Sequence, residues 1–329
     1  MSGVKGILLA GGRGTRLYPL TAIVSKQLQP IYDKPMVYYS LTTLIVAGIR
    51  EVLLISSPED VPRFEALLGD GARWGLSISY AVQTEPRGIA EALVLGAEFL
   101  GDDSCVLMLG DNLLYGRLDF LREAIAENGD GATVFAYKVA DPSAYGVVEF
   151  DAGLRAVSLE EKPRSPRSAW AVPGLYIYGP GVAGRAREVQ PSARGELEIT
   201  DLNRMYLDEG RLLARPMGRG IAWLDTGTHE ALLQASQFVH TLESRQGLVI
   251  GCPEEAAVRM GFLSAAGLRK CLEGMPGGRY RAYLEALAEE FERGGGTGAG
   301  EMRPTLPIEA GTSVGVANID PGIERPGVR

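Results

Sequence analysis

Histidine is almost absent from this chain of 329 residues, which has only His229 and His240. Imidazole-based acid/base chemistry therefore has few candidates. Cysteine is as scarce. Cys105, Cys252 and Cys271 are odd in number, far apart and unaccompanied by histidine clusters, which argues against a disulfide framework and a zinc site and suits a reducing cytoplasm. No apolar run approaches the ~20 residues that a bilayer-spanning helix needs. The opening stretch MSGVKGILLAGG, with one lysine and a short apolar run broken by two glycines, does not fit a secretory signal. Positive charge is not in excess either. The formal net charge is −8, so neither nucleic acid nor an anionic membrane is expected as a partner. An anionic ligand must then be held by a few placed cations and backbone amides.

What is present is a hydrophobic content of 46%, enough to bury the core of one large α/β domain with an appended helical region. Short apolar runs alternate with longer helical patterns, the signature of βαβ units around a mainly parallel, doubly wound, Rossmann-like sheet. Strands are expected at Lys5–Leu9, Glu51–Ser56, Ser77–Gln83 and Cys105–Leu109, and helices at Met36–Ala47, Glu59–Leu68 and Gly88–Phe99. After Asp111 the runs Ala132–Lys138, Gly146–Phe150, Ala156–Glu161 and Gly174–Tyr178 lie close together with turn residues between them. They read as an added antiparallel or mixed portion shaping one side of a cleft. Helices are expected near Gly181–Val189 and Glu198–Glu209, then a strand pair at Leu212–Met217 and Ile221–Leu224, then a long helix from Thr228 to Glu243. Residues 253–293 read as helices, and the Gly/Pro-rich stretch 294–329 as a disordered tail.

The most informative segment is Leu9-Ala10-Gly11-Gly12-Arg13-Gly14-Thr15-Arg16-Leu17, directly after the first expected strand, with Lys26 and Gln27 beyond it. A glycine-rich turn at the carboxyl end of a parallel strand lets backbone N–H groups approach a phosphate, and Arg16 and Lys26 can neutralise the polyphosphate. The same turn can also be a plain tight connection. Its spacing is neither that of a Walker loop nor that of GxGxxG. Asp111 follows the apolar run VLMLG and Asp225 lies in WLDTGT. Two carboxylates converging from separate strands suit Mg²⁺, while each alone is equally a helix or turn cap. In Glu160-Glu161-Lys162-Pro163 a lysine can hold a sugar phosphate and a glutamate can accept from sugar hydroxyls, or the run is a solvated charged face.

LAGGRGTRLYPLT followed by SKQLQPIYDKPM resembles the signature of sugar-1-phosphate nucleotidyltransferases, and the resemblance runs from about residue 4 to residue 290. GDN, DPSAYGVVEFD, SLEEKP, ARGELEITDLNR and AWLDTGTHEALLQAS resemble, in order, blocks of the short bacterial glucose-1-phosphate thymidylyltransferases. The resemblance implies Mg²⁺ on Asp111 and Asp225, and nucleotide contacts from Leu9, Gly11, Gly12, Gly14, Thr15 and Gln27. It places base recognition on Gln83 and Gly88, hexose contacts on Tyr145, Gly146, Glu161, Val172 and Gly174, and the sugar phosphate on Lys162. Trp223 would close the far end of the sugar pocket, although a buried tryptophan is more often plain core. The domain reading is then a nucleotidyltransferase domain over residues 1–245, with a nucleotide half at 1–111 and a sugar half at 112–245, followed by a helical region at 246–293.

The implied reaction joins dTTP to glucose 1-phosphate and releases pyrophosphate, with Arg16, Lys26 and Lys162 as the catalytic cations. The implied assembly is a homotetramer. This chain departs from the family pattern at Glu91, where glutamine is expected, at Ile89, Gln29 and Pro173, and in YGRLDF, which lacks a histidine often found at a second, regulatory site. The four substitutions bear on nucleotide and sugar preference and the missing histidine on feedback control, so UTP or another sugar 1-phosphate is the alternative, and a nucleotide-sugar sensor a further one. A glycosyltransferase would ordinarily carry Asp-x-Asp where this chain has GDN.

Overall fold

The structure is a computed structural model that describes residues 3–12 and 14–293. Arg13 and the expected tail at 294–329 lie outside the described residues. Strand β1 (Val4–Leu9) enters the core at once, its last four residues buried, as a strand covered on both faces must be. The chain then runs through the glycine-rich loop and a two-residue hairpin, β2 (Pro30–Ile31) and β3 (Lys34–Pro35), into helix α1 (Val37–Val46). Next come β4 (Glu51–Ser56), α2 (Val61–Leu68), β5 (Ser77–Val82), α3 (Glu91–Leu95), α4 (Ala97–Leu100) and β6 (Ser104–Leu109). Strands β5, β4, β1 and β6 are parallel neighbours in that order. The strand order reverses at β1, so a crevice opens beyond the carboxyl ends of β1 and β6, where open α/β sheets hold their ligands.

The expected helix over Gly88–Phe99 is broken in two. A Cβ at Gly96 would stand 2.7 Å from Ile7 Cδ1, so a side chain there would require Ile7 on β1 to shift. The same glycine, with φ −80° and ψ 3°, leaves helical geometry and ends α3. That requirement is tertiary and leaves no trace in the local apolar pattern.

The remaining chain builds the antiparallel side. In order it comprises β7 (Asn112–Tyr115), α5 (Phe120–Glu127), β8 (Ala132–Lys138), β9 (Gly146–Phe150), β10 (Ala156–Glu161), β11 (Trp170–Val172), β12 (Leu175–Tyr178), α6 (Val182–Ala186), α7 (Ile199–Asp208), β13 (Leu212–Pro216) and β14 (Ala222–Asp225). Strand β12 pairs antiparallel with both β6 and β8, and β11 and β9 continue the sheet to β10 at its edge. The parallel and antiparallel portions are thus one continuous sheet. The expected pairing of Leu212–Met217 with Ile221–Leu224 does not occur. Strand β13 runs parallel to β8, whereas β14 pairs with β7 in a separate two-stranded ribbon. That ribbon brings Asp225 opposite Asn112, one residue from Asp111.

Apolar side chains fill both faces of the sheet. Helices α1 and α2 pack on one face with Leu8, Val52 and Met108, while α3, α6 and α7 pack on the other with Ile7, Leu107 and Tyr178. The long helix α8 (His229–Gln246) starts at Thr228, whose hydroxyl accepts from the N–H of Ala231, and α9 (Pro253–Arg259), α10 (Ala265–Cys271) and α11 (Arg279–Arg293) close the described chain. Among the described residues no helix is long and apolar enough to cross a membrane.

Candidate functional site

The glycine-rich loop begins where β1 ends. Leu9 is buried at the strand's last position, and its carbonyl accepts from the N–H of Gly110 at 2.8 Å, which ties the loop to the end of β6. Gly11 faces the side chain of Gln83, and a Cβ there would stand 2.9 Å from Gln83 Oε1. Gly12 (φ 103°) and Gly14 (φ 54°) occupy left-handed backbone that glycine adopts without penalty. Thr15 and Arg16 open an exposed 3-10 turn. Across the crevice Gln27 is buried, donates through Nε2 to the Gly11 carbonyl at 3.2 Å, and keeps Oε1 without a protein partner.

Asp111 follows β6 and is the centre of the site. Its Oδ2 is ion-paired with the Lys26 ammonium, both side chains about one-seventh exposed at 13% and 14%. Its Oδ1 accepts from Asn112 Nδ2 at 2.9 Å. Burial works to raise the Asp111 carboxyl, but the Lys26 charge and the hydrogen bonds from Lys26 and Asn112 bring it below the usual carboxylate range. Asp225, at the end of β14, behaves oppositely. Burial and then the negative charge of Asp111 push it up, against the opposing pull of Lys26 and Arg16. One carboxyl held down beside another held up is what two convergent carboxylates sharing one buried place produce. Arg16 reaches the same place because Gly227 has no side chain: a Cβ there would stand 2.9 Å from Arg16 Nη2 and 3.2 Å from Asp225 Oδ1.

Asn112 joins this centre to the neighbouring pocket. While its Nδ2 holds Asp111, its Oδ1 accepts from the N–H of Gly174 at 2.9 Å and from Trp223 Nε1 at 2.7 Å. Trp223 is buried and packs edge-on to Tyr145 at 5.0 Å between ring centres. Burial, followed by the nearby Asp225 charge, pushes the Tyr145 hydroxyl up to about 12, so it remains a donor through the neutral range. The Tyr145 carbonyl accepts from the N–H of Lys162. Gly146 pairs with Val172 on one side and Glu161 on the other. Thr200 Oγ1 donates to Glu161 Oε2 at 2.6 Å, and Arg194 and Lys162 stand 3.4 and 3.3 Å from Glu161 Oε1. Lys162 itself has φ 44°, a left-handed conformation rare for a side-chain-bearing residue, at the turn that ends β10. A cavity of about 360 Å³ runs beside it, lined by Glu160, Glu161, Arg194, Glu198 and Arg204 among others.

Gly88 closes the circuit. It has φ 107°, and a Cβ would stand 2.4 Å from the Leu197 carbonyl oxygen, while the Ala90 N–H donates to the Leu197 carbonyl at 3.1 Å and the Leu197 N–H to the Arg87 carbonyl at 2.6 Å. The loop that carries Gly88 is thereby clipped to the segment that carries Arg194 and Glu198. The structure brings Lys26, Asp111, Asp225 and Arg16 together and gathers Tyr145, Gly146, Glu161 and Val172 around β9, while Lys162 contacts Glu161 and the Tyr145 carbonyl rather than the Asp111 cluster. Asn112 and Thr200 were visible within GDN and within ARGELEITDLNR, but nothing in either string separates a hub from a turn residue. Among the described residues no group of three or more His, Cys, Asp or Glu side chains is arranged to hold a metal alone. A cation here would rest on two carboxylates and on oxygens brought by its substrates.

The model of the nucleotidyl transferase family matches residues 5–241. A glucose-1-phosphate thymidylyltransferase of Neisseria meningitidis is 54% identical over 289 residues, 87% of this chain and 100% of that protein. That of Mycolicibacterium smegmatis is 53% identical over 286 residues, 87% of this chain and 99% of that protein. Among solved structures, a Bacillus anthracis protein assigned as a glucose-1-phosphate thymidylyltransferase superposes with a TM-score of 0.68 at 38% identity, over 72% of this chain and 95% of that one. With identities above half over nearly the full length of such relatives, and a family model spanning most of the sheet, the chain belongs to the nucleotidyl transferase family and within it to the glucose-1-phosphate thymidylyltransferases.

Proposed function

We propose that this chain transfers a thymidylyl group from dTTP to glucose 1-phosphate, giving dTDP-glucose and pyrophosphate. The observation that carries the reading is a run of contacts from Gln27 on the Gly11 carbonyl, through the Lys26–Asp111 pair, to Asn112, which holds Asp111 and accepts from Gly174 and Trp223. UTP is the second nucleotide to consider, because uracil offers Gln83 the same imide edge as thymine.

The sugar phosphate is ionised at neutral pH and needs no general base to attack. Rate enhancement then rests on alignment and charge neutralisation. Lys162 holds the attacking phosphate and Glu161, positioned by Thr200, holds the hexose hydroxyls. Lys26 neutralises the reacting phosphate, and Arg16 the departing pyrophosphate. Asp111 and Asp225 would hold Mg²⁺, whose preference for a few carboxylate oxygens completed by phosphate and water fits this donor pair, and it would supply further neutralisation of the phosphate oxygens. A cytoplasmic homotetramer completes the reading. It is supported by the resemblance and, for the compartment, by three cysteines that are all free.

Phosphorus NMR of a mixture of dTTP, glucose 1-phosphate and enzyme tests the proposal. The nucleotide sugar and pyrophosphate are expected with Mg²⁺ and absent with EDTA. Nucleotide sugar formed at an undiminished rate in EDTA would remove the metal from the reading, and its absence under both conditions would remove the activity.

A further inference from the structure

Gln83 is a primary amide with a carbonyl oxygen at one end and an NH2 group at the other, nearly equal in shape and opposite in hydrogen bonding. Such a group reads a base only if something decides which end faces it. Gln83 is 6% exposed, so water cannot make that decision. Its Nε2 donates to Glu91 Oε2 at 2.7 Å. An ionised carboxylate only accepts, so turning the Gln83 amide over would set two oxygens against each other and strand the NH2. Glutamine at position 91 would impose no such choice, since its own amide can donate or accept. Arg87 Nε lies 3.8 Å from the other Glu91 oxygen, but that arginine is well exposed and adds little by itself.

Resting on Gln83 as the base contact, we propose that Glu91 is a specificity-determining positioning residue, which fixes the Gln83 amide so that its carbonyl oxygen is the end offered to the base. The oxygen faces Gly11 of the glycine-rich loop, 2.9 Å from the place where a side chain would start, so the absence of a Cβ there leaves that end of the amide uncovered by a side chain of the loop. The N3–H of a thymine or uracil imide donates to an oxygen so placed. Cytosine has a lone pair at the same ring position and is repelled. Glu91 therefore adds discrimination against an amino-pyrimidine without touching the nucleotide, and the departure from glutamine becomes a gain in selectivity. It does not separate thymine from uracil.

The experiment uses the full-length chain with Mg²⁺ and glucose 1-phosphate, measuring pyrophosphate release from dTTP, UTP and CTP by the wild type and by Glu91→Gln, Glu91→Leu and Gln83→Ala. Both Glu91 variants are expected to lower the ratio of dTTP to CTP kcat/KM by about tenfold, the effect of a ~1.4 kcal/mol orientational preference, and the change should fall on KM. The dTTP to UTP ratio should not move. Unaltered dTTP to CTP ratios in both Glu91 variants, with a raised dTTP KM in Gln83→Ala, would overturn the lock and leave the base contact standing. An unaltered dTTP KM in Gln83→Ala would instead overturn the base contact itself.

Discussion

Lys162 sits at φ 44° and is only half-exposed, so its charge and its backbone can be tested apart. Lys162→Ala and Lys162→Gly should both depress kcat/KM for glucose 1-phosphate by about a hundredfold, as loss of one preorganised charge contact does. The glycine variant should nonetheless melt above the alanine variant, because glycine takes a positive φ without steric cost. Equal melting temperatures would place no strain at this turn. Asp225 makes a second separation possible. A carboxyl raised above its ordinary value costs folding stability as pH climbs from that ordinary value through the raised one, and the cost is in place at neutral pH. Asp225→Asn in EDTA should therefore melt a few degrees above the wild type while losing most activity with Mg²⁺. A lower melting point for the metal-free variant would contradict the crowding of charge described here.

At the scale of elements, Gly88 lies at the clip between the segments proposed to hold the base and the sugar. Gly88→Ala would drive a Cβ into the Leu197 carbonyl, so it should raise KM for both substrates, where a purely base-side role would raise only that for the nucleotide. Initial-rate kinetics with each substrate varied in turn decides between the two. Most elements were legible in the sequence, since β1, β4, β6 and β8 are short apolar runs between turns and helix α8 begins at a capping threonine. What was not legible depended on partners far along the chain. Gly96 ends α3 at a place where a side chain would meet Ile7, and β14 leaves β13 to pair with β7. Asn112 acts as a hub only because Gly174 and Trp223 arrive beside it. The residues that bear charge in the proposed site were singled out from motif, strand-end position and family resemblance. What Asn112, Thr200 and Glu91 hold needed the structure: Thr200 meets Glu161 and Asn112 meets Gly174 across long stretches of chain, and Glu91, although singled out in the sequence, shows its partner Gln83 only in the fold.

Over the whole molecule, the C-terminal helices are tied to the hairpin that follows the Lys26 segment. Lys34, 4% exposed, pairs with the fully buried Glu243 of α8 at 3.1 Å. Glu243 also accepts from the N–H of Ile250 at 2.8 Å and faces Arg279 at the start of α11. Removing one partner of such a buried pair costs about 3–5 kcal/mol, while replacing both by apolar groups is often near neutral. Urea unfolding should show Glu243→Leu strongly destabilised and Lys34→Met with Glu243→Leu largely recovered. Additive losses in the double variant would mean that the two charges do not act as a pair.

The most direct test of the central claim is steady-state pyrophosphate release by the purified chain with Mg²⁺, dTTP and glucose 1-phosphate, against UTP, ATP, CTP and GTP and other sugar 1-phosphates. Fastest turnover with dTTP and glucose 1-phosphate is the expected result. No turnover with any pair would contradict it and leave a protein that binds nucleotide sugars without making them.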